Sequence, residues 1–208
     1  MAVAVLLAAC GGGSSSDANE RAGTYSLRVT DASFPGEQQL GQTSLLRLGV
    51  RNTGKKTVPL LTVTVSIAGK EGADSNLAFA VRDPQPGLAQ PDRPVWVLAA
   101  GYPKLDGSNE AGGSSTSNPK TFALGPLKPG ETTTAVWKLS AVRAGHYTVT
   151  YRVGAGLSPE VKAKTTGGVA PGGSFVADVT SKVPETEVTP NGEVVRIDDG
   201  SKQGGKGE

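Results

Sequence analysis

Within residues 127–153, apolar side chains fall on every second position on both sides of a turn at residues 143–145. The apolar positions are Ala135, Trp137 and Leu139 before the turn, and Tyr147, Val149, Tyr151 and Val153 after it. An alternation of period two is the pattern of a strand with one face in a core and the other in water. The stretch therefore predicts two half-buried strands, and other strands must cover their apolar face.

The same alternation recurs elsewhere in the chain. Its apolar positions are Tyr25, Leu27 and Val29; Leu46, Leu48 and Val50; Leu61, Val63, Val65 and Ile67; and Phe175, Ala177 and Val179. Residues 77–81 and 95–99 are shorter strand candidates, and residues 193–197 are a candidate for a short edge strand. No window carries a sustained 3.6-residue repeat, so the sequence predicts an all-β fold.

Composition divides the chain into four segments. We expect a remnant of a signal peptide at 1–9, a lipidated cysteine and Gly/Ser linker at 10–23, a β-sandwich at 24–182 and a flexible tail at 183–208. Residues 106–119 carry no apolar group larger than alanine, which predicts an exposed, flexible loop within the sandwich.

Several local motifs indicate the type of sandwich. The run Gly145-His146-Tyr147-Thr148-Val149 resembles a tyrosine corner, in which a tyrosine hydroxyl bonds to nearby backbone. With the Asn-Thr-Gly turn at 52–54 and the Leu-Lys-Pro-Gly-Glu run at 127–131, it resembles bacterial surface domains of the cell-adhesion-related (CARDB) type. The resemblance covers residues 24–182 and implies an immunoglobulin-like antiparallel β-sandwich. It does not imply a single function, because this fold hosts many.

The N-terminus carries a second resemblance. Leu7-Ala8-Ala9-Cys10 ends an apolar run, precedes a Gly/Ser-rich segment and contains the only cysteine of the chain. It resembles the lipobox of bacterial lipoproteins, in which the cysteine is lipidated and becomes the mature N-terminus. This resemblance implies a membrane anchor at Cys10 and a position on the cell membrane facing outside the cytoplasm. Only nine residues precede Cys10 and none is charged, so we expect a misplaced start codon or a truncated signal.

Charge is unevenly distributed along the chain. The formal net charge is +2, yet residues 24–182 carry 17 Lys and Arg against 11 Asp and Glu, and residues 183–208 carry 3 against 6. The basic residues are scattered over outward strand positions and turns, with Lys55 and Lys56 as their only adjacent pair. This scatter favours a solvated surface, and we expect no nucleic-acid partner.

No catalytic or metal site is predicted, and no cofactor. His146 is the only histidine, without cysteine or a second histidine to complete a metal site, and we expect it to be exposed on a strand. Asp106, Asn109 and Glu110 could supply oxygen ligands to calcium, but their spacing fits no EF-hand loop.

Two aromatic residues are the candidate ligand contacts. Trp96 lies between the apolar residues Val95 and Val97, so alternation does not determine whether Trp96 faces inward or outward. Tyr102 follows it, near Pro94 and Pro103. If Trp96 faces outward, the pair forms an aromatic platform. The sequence thus predicts a non-catalytic, lipid-anchored protein that contacts an unknown protein or cell-envelope glycan. The alternative is a carbohydrate-binding module using Trp96 and Tyr102.

Overall fold

The computed structural model describes residues 20–68, 78–81, 94–107, 113–116, 118, 120–183 and 185–196. Cys10, Asn109 and Glu110 lie outside these residues. The described residues form strands and turns, and none of them forms a helix long and apolar enough to cross a membrane.

Fifteen strands follow one another along the described chain. They are β1 Gly23–Ser33, β2 Glu37–Gln39, β3 Thr43–Asn52, β4 Val58–Ile67, β5 Phe79–Val81, β6 Trp96–Leu98, β7 Lys104–Leu105, β8 Ser114–Ser115, β9 Thr121–Leu127, β10 Thr132–Ala141, β11 Gly145–Gly154, β12 Val161–Lys164, β13 Gly172–Thr180, β14 Thr186–Val188 and β15 Val194–Arg196.

These strands form two large sheets and one hairpin. The first sheet has the order β12-β1-β3-β10-β6-β5, with β7 also paired to β10, and the second has the order β2-β13-β11-β4-β9-β8. Most neighbours are antiparallel, whereas β12 runs parallel to β1, β2 parallel to β13 and β5 parallel to β6. The hairpin β14–β15 pairs only with itself.

The apolar faces of the two sheets enclose one core, as the alternation predicts. Leu46, Leu48 and Val50 of β3 are each 1% exposed, and Val63 of β4 and Val149 of β11 are fully buried. The predicted immunoglobulin-like β-sandwich is therefore confirmed.

The turn after β3 is held by the side chain of Asn52, which is fully buried. Its Nδ2 donates to the carbonyls of Lys56 at 2.8 Å and Leu127 at 2.9 Å, and its Oδ1 accepts from the Gly54 amide at 2.9 Å. One amide group thus satisfies three backbone groups. It also ties the β3–β4 turn to the end of β9.

Several ordered elements were not predicted. The short strand β2, the seven-residue strand β9 and the four-residue strand β12 all pair with longer strands. Part of the stretch expected to be a flexible loop is also ordered. In it, Ser114 and Ser115 pair with β9, and Asp106 forms an ion pair with Arg47 at 3.2 Å. The candidate edge strand near residue 194 forms the hairpin β14–β15 instead of joining a sandwich sheet.

Candidate functional site

Trp96 lies in the core, which rules out its predicted role in an exposed aromatic platform. The side chain is fully buried, and its ring makes edge contacts with Phe34 at 5.4 Å and Tyr147 at 5.6 Å between centroids. Its Nε1 donates to Oε1 of the buried Gln38 at 2.8 Å. The cause is the pairing of Trp96 with Ala141 on β10, which fixes the inward phase of β6.

Tyr102 is half-buried and packs against the edge of the core. The ammonium of Lys104 lies 5.4 Å from the centre of its ring, within the range of a cation–π contact. With Trp96 buried, Tyr102 has no second aromatic ring with which to form the predicted platform.

Tyr147 forms the predicted contact with the backbone upstream. Its hydroxyl donates to the carbonyl of Ala144 at 2.8 Å. A Cβ on Gly145 would lie 2.7 Å from this hydroxyl, and Gly145 has a φ of +150°, so glycine leaves the room that the contact needs. Burial raises the pKa of Tyr147, an effect that the charge of Arg143 partly offsets. The hydroxyl therefore stays protonated as a donor at neutral pH.

The outer face of the second sheet is rich in hydroxyl groups, and we call it the hydroxyl face. Its members are Thr62, Thr64 and Ser66 of β4, Thr121 of β9, Thr148, Thr150 and Arg152 of β11, and Ser174 of β13. Of these, Thr62 and Thr121 are buried. Cross-strand bonds join members of this face: Ser66 Oγ lies 3.0 Å from Thr150 Oγ1, and Thr64 Oγ1 lies 2.9 Å from Thr121 Oγ1.

A shallow depression of about 230 Å³ opens on the hydroxyl face. It is lined by Thr64, Ser66, Thr150, Tyr151 and Arg152. The lining supplies hydroxyl groups and one exposed guanidinium, so the depression is suited to a polar ligand rather than an apolar one.

His146 and Asp178 form a pair near one end of this face. They lie directly opposite each other on β11 and β13, with His146 Nδ1 2.5 Å from Asp178 Oδ1, and both side chains are exposed. The described residues contain no group of three or more histidine, cysteine or acidic side chains that could hold a metal ion.

The outer face of the first sheet is basic, and we call it the basic face. Its outward strand positions carry Arg28 of β1, Arg47 and Arg51 of β3, Lys104 of β7, Lys138 of β10, and Lys162 and Lys164 of β12. The carboxylates on strands or turns beside them are Asp31, Asp106, Glu131 and Glu160, and Asp106 is paired with Arg47. Sequence reasoning judged these residues to be scattered. The alternation places Arg28, Arg47, Arg51 and Lys138 outward, whereas Lys104, Lys162 and Lys164 lie in strands that were not predicted. The strand order brings all seven together.

Comparison with protein-family models gives no match for this chain, and comparison with curated proteins gives none either. Solved structures include similar folds. The CARDB domain of a Pyrococcus furiosus protein, crystallised in complex with di-metal ions, is 14% identical with a TM-score of 0.42, over 75% of this chain and 89% of that domain. Its solution structure is 13% identical with a TM-score of 0.44, over 76% and 98%. A part of Escherichia coli alpha-2-macroglobulin is 16% identical with a TM-score of 0.40, over 81% and 21%.

Proposed function

We propose that this chain is a non-catalytic lipoprotein, anchored through Cys10 on the outer side of the cell membrane, whose sandwich contacts a glycan of the cell envelope. The observation that carries the anchor is the run Leu7-Ala8-Ala9-Cys10, with the only cysteine of the chain placed between apolar residues and a Gly/Ser-rich segment. Two or three acyl chains on one residue suffice for stable anchoring, whereas one is marginal.

The described structure fixes where the segment that follows Cys10 meets the sandwich. The carboxylate of Glu20 accepts hydrogen bonds from the amides of Leu157 at 2.7 Å and Ser158 at 2.8 Å. Gly23 then pairs with Val161 of β12. Since nine residues lie between Cys10 and Glu20, the ten steps of chain place the sandwich edge at most about 35 Å from Cys10.

The hydroxyl face is the surface that we assign to the glycan. Protein interfaces use Trp, Tyr and Arg anchors packed at a desolvated centre. Among the described residues this face exposes Val176 as its one large aliphatic side chain, and Tyr151, which lines the depression, is half-buried and stacked on Phe175. The hydroxyl face offers instead its Ser and Thr hydroxyl groups, Arg152 and the His146–Asp178 pair, which match the donors and acceptors of a sugar polymer. The glycan is therefore favoured over a protein partner.

The anchor is tested by Cys10→Ser, expressed behind a complete secretion signal. We expect the wild-type chain in the membrane fraction with an acylated N-terminal residue by mass spectrometry. The Cys10→Ser chain should be unacylated and in the soluble fraction, while Ser14→Ala, a matched linker change, should behave as wild type. Retention of Cys10→Ser in the membrane fraction would contradict the anchor.

The glycan contact is tested with the soluble Cys10→Ser chain and protein-free cell-wall glycan in a sedimentation assay. Removing a charged donor should weaken binding about tenfold or more in Arg152→Ala, since such bonds contribute about 1.5–3 kcal/mol. Arg51→Ala removes the same group from the basic face and should leave binding unchanged. Binding only to envelopes that retain their proteins would assign the face to a protein and overturn the glycan.

A further inference from the structure

We propose that the basic face is a docking surface for the anionic headgroups of a phospholipid bilayer. The choice of a bilayer as partner rests on the proposed lipid anchor, whereas the affinity for anionic headgroups rests on the face itself. On the described strands of this face, seven basic side chains stand beside one acidic side chain, Asp31, and the adjoining turns add Asp106, Glu131 and Glu160.

The centre of the face places like charges directly opposite one another. Arg28 of β1 and Arg51 of β3 are partners in the antiparallel register, and both are exposed. Like charges in directly opposed positions destabilise a sheet. Among the described residues, neither arginine forms a salt bridge. An external anion seated between the two guanidinium groups would relieve this repulsion.

The charge extends across neighbouring strands. Lys162 and Lys164 of β12 lie beside Thr24 and Ser26, and Lys138 stands on β10 on the far side of β3. Strands lie about 4.8 Å apart, so the four strands β12, β1, β3 and β10 spread these charges over roughly 15 Å. Charges spread over a sheet face suit a flat anionic surface better than a small anion, which would need a cleft.

The two faces of the sandwich differ in charge. On the strands of the hydroxyl face, the described charged residues are one basic residue, Arg152, and two acidic residues, Glu37 and Asp178. His146 is paired with Asp178. Among the described strands, the basic charge is thus concentrated on one of the two faces, and an anionic surface would favour one orientation.

The point at which the chain enters the sandwich identifies the bilayer as that surface. Gly23, at the start of β1, pairs with Val161, the residue directly before Lys162. An anchor at Cys10 would therefore hold the β12 edge of the basic face near the membrane. A basic patch beside one or more acyl chains is a recognised second signal for stable anchoring.

The test uses the Cys10→Ser chain, so that no acyl group contributes to binding. Sedimentation with vesicles of phosphatidylcholine plus phosphatidylglycerol should show binding that falls with added salt, and vesicles of phosphatidylcholine alone should show little. Each basic residue near an anionic membrane surface raises the binding constant about fivefold. Arg28→Gln with Arg51→Gln should therefore weaken binding at least tenfold.

The matched control removes two charges elsewhere, in Lys120→Gln with Arg152→Gln, and should bind as the parent chain does. Thermal unfolding of both double variants verifies that each remains folded. The proposal is overturned if the parent chain does not bind the phosphatidylglycerol vesicles, or if the two double variants lose binding equally. It is also overturned if dextran sulfate binds while the vesicles do not. Because every chain in this assay lacks Cys10, its result is independent of whether Cys10 is lipidated.

Discussion

Two tryptophans occupy the same core but differ in one hydrogen bond. Trp96 and Trp137 are both fully buried. The indole Nε1 of Trp96 donates to Gln38, whereas that of Trp137 has no hydrogen-bond partner among the described residues. A buried polar group costs free energy when it is unpaired, so the two indoles contribute differently to stability even though both are out of water.

Trp96→Phe should therefore destabilise the protein more than Trp137→Phe. Both changes leave a similar cavity. Trp96→Phe also leaves the buried Gln38 oxygen without its donor, whereas Trp137→Phe removes a donor that is already unpaired. We expect the difference in free energy of unfolding to be about 1–3 kcal/mol, measured by denaturant unfolding of both variants. Equal losses would mean that the Trp96–Gln38 bond adds nothing to stability.

The hydroxyl of Tyr147 offers a second comparison between like residues. Tyr147→Phe keeps the ring and removes the bond to the Ala144 carbonyl, so it should cost about 0.5–1.5 kcal/mol. Tyr151 stacks on Phe175 at 5.2 Å between centroids, and its hydroxyl bonds to none of the described residues. Chemical denaturation should show a smaller loss of unfolding free energy for Tyr151→Phe than for Tyr147→Phe. A loss at Tyr151 at least as large as at Tyr147 would contradict a tyrosine corner at Tyr147.

At the scale of the element, the turn between β3 and β4 depends on one side chain. Asn52→Ala would leave the Lys56 and Leu127 carbonyls and the Gly54 amide without their partner. We expect a loss of about 2–4 kcal/mol, because the buried Leu127 carbonyl costs about 1–3 kcal/mol when it is unpaired and the partly buried Lys56 and Gly54 groups cost less. Asn118 makes a similar turn bond to the Lys120 amide at 3.0 Å but is exposed, so Asn118→Ala should cost under about 1 kcal/mol. Similar midpoints for the two variants in thermal unfolding would contradict this role of Asn52.

The long strands could be predicted from sequence because their alternation is unbroken, and burial confirms the inward faces of β3 and β4. Strand β9 was missed because Gly125 and Pro126 interrupt its pattern. The ladder accommodates them at register shifts between β4 and β9, where a positive φ of 89° and a missing amide are tolerated. Strand β12 has only four residues, and its parallel partner β1 lies far away in sequence.

The surfaces were less predictable than the core, because local sequence patterns do not determine the order of strands in a sheet. Val95, Trp96 and Val97 are all apolar, so no alternation fixes the phase of β6, and only its pairing with β10 does so. Arg28 and Arg51 fall on outward positions of predicted strands, whereas Lys162 lies in β12, which was not predicted. Their assembly into one face depends on strand order, which local patterns do not encode.

At the scale of the whole molecule, the sandwich presents two unlike faces. One carries basic residues beside the point where the chain enters, and the other carries hydroxyl groups and a shallow polar depression. In our account the basic face lies against the membrane, and the hydroxyl face is turned toward the envelope. The orientation of the sandwich on the bilayer is therefore the property that joins the two proposals.

Spin labels on the lipidated chain test this orientation most directly. Thr24→Cys places a label on the basic face and Ser174→Cys places one on the hydroxyl face, and both positions are exposed and uncharged. On vesicles containing phosphatidylglycerol, the label at 24 should be shielded from a water-soluble relaxation agent, and the label at 174 should stay accessible to it. Equal accessibility at the two positions, or shielding at 174 alone, would contradict the account.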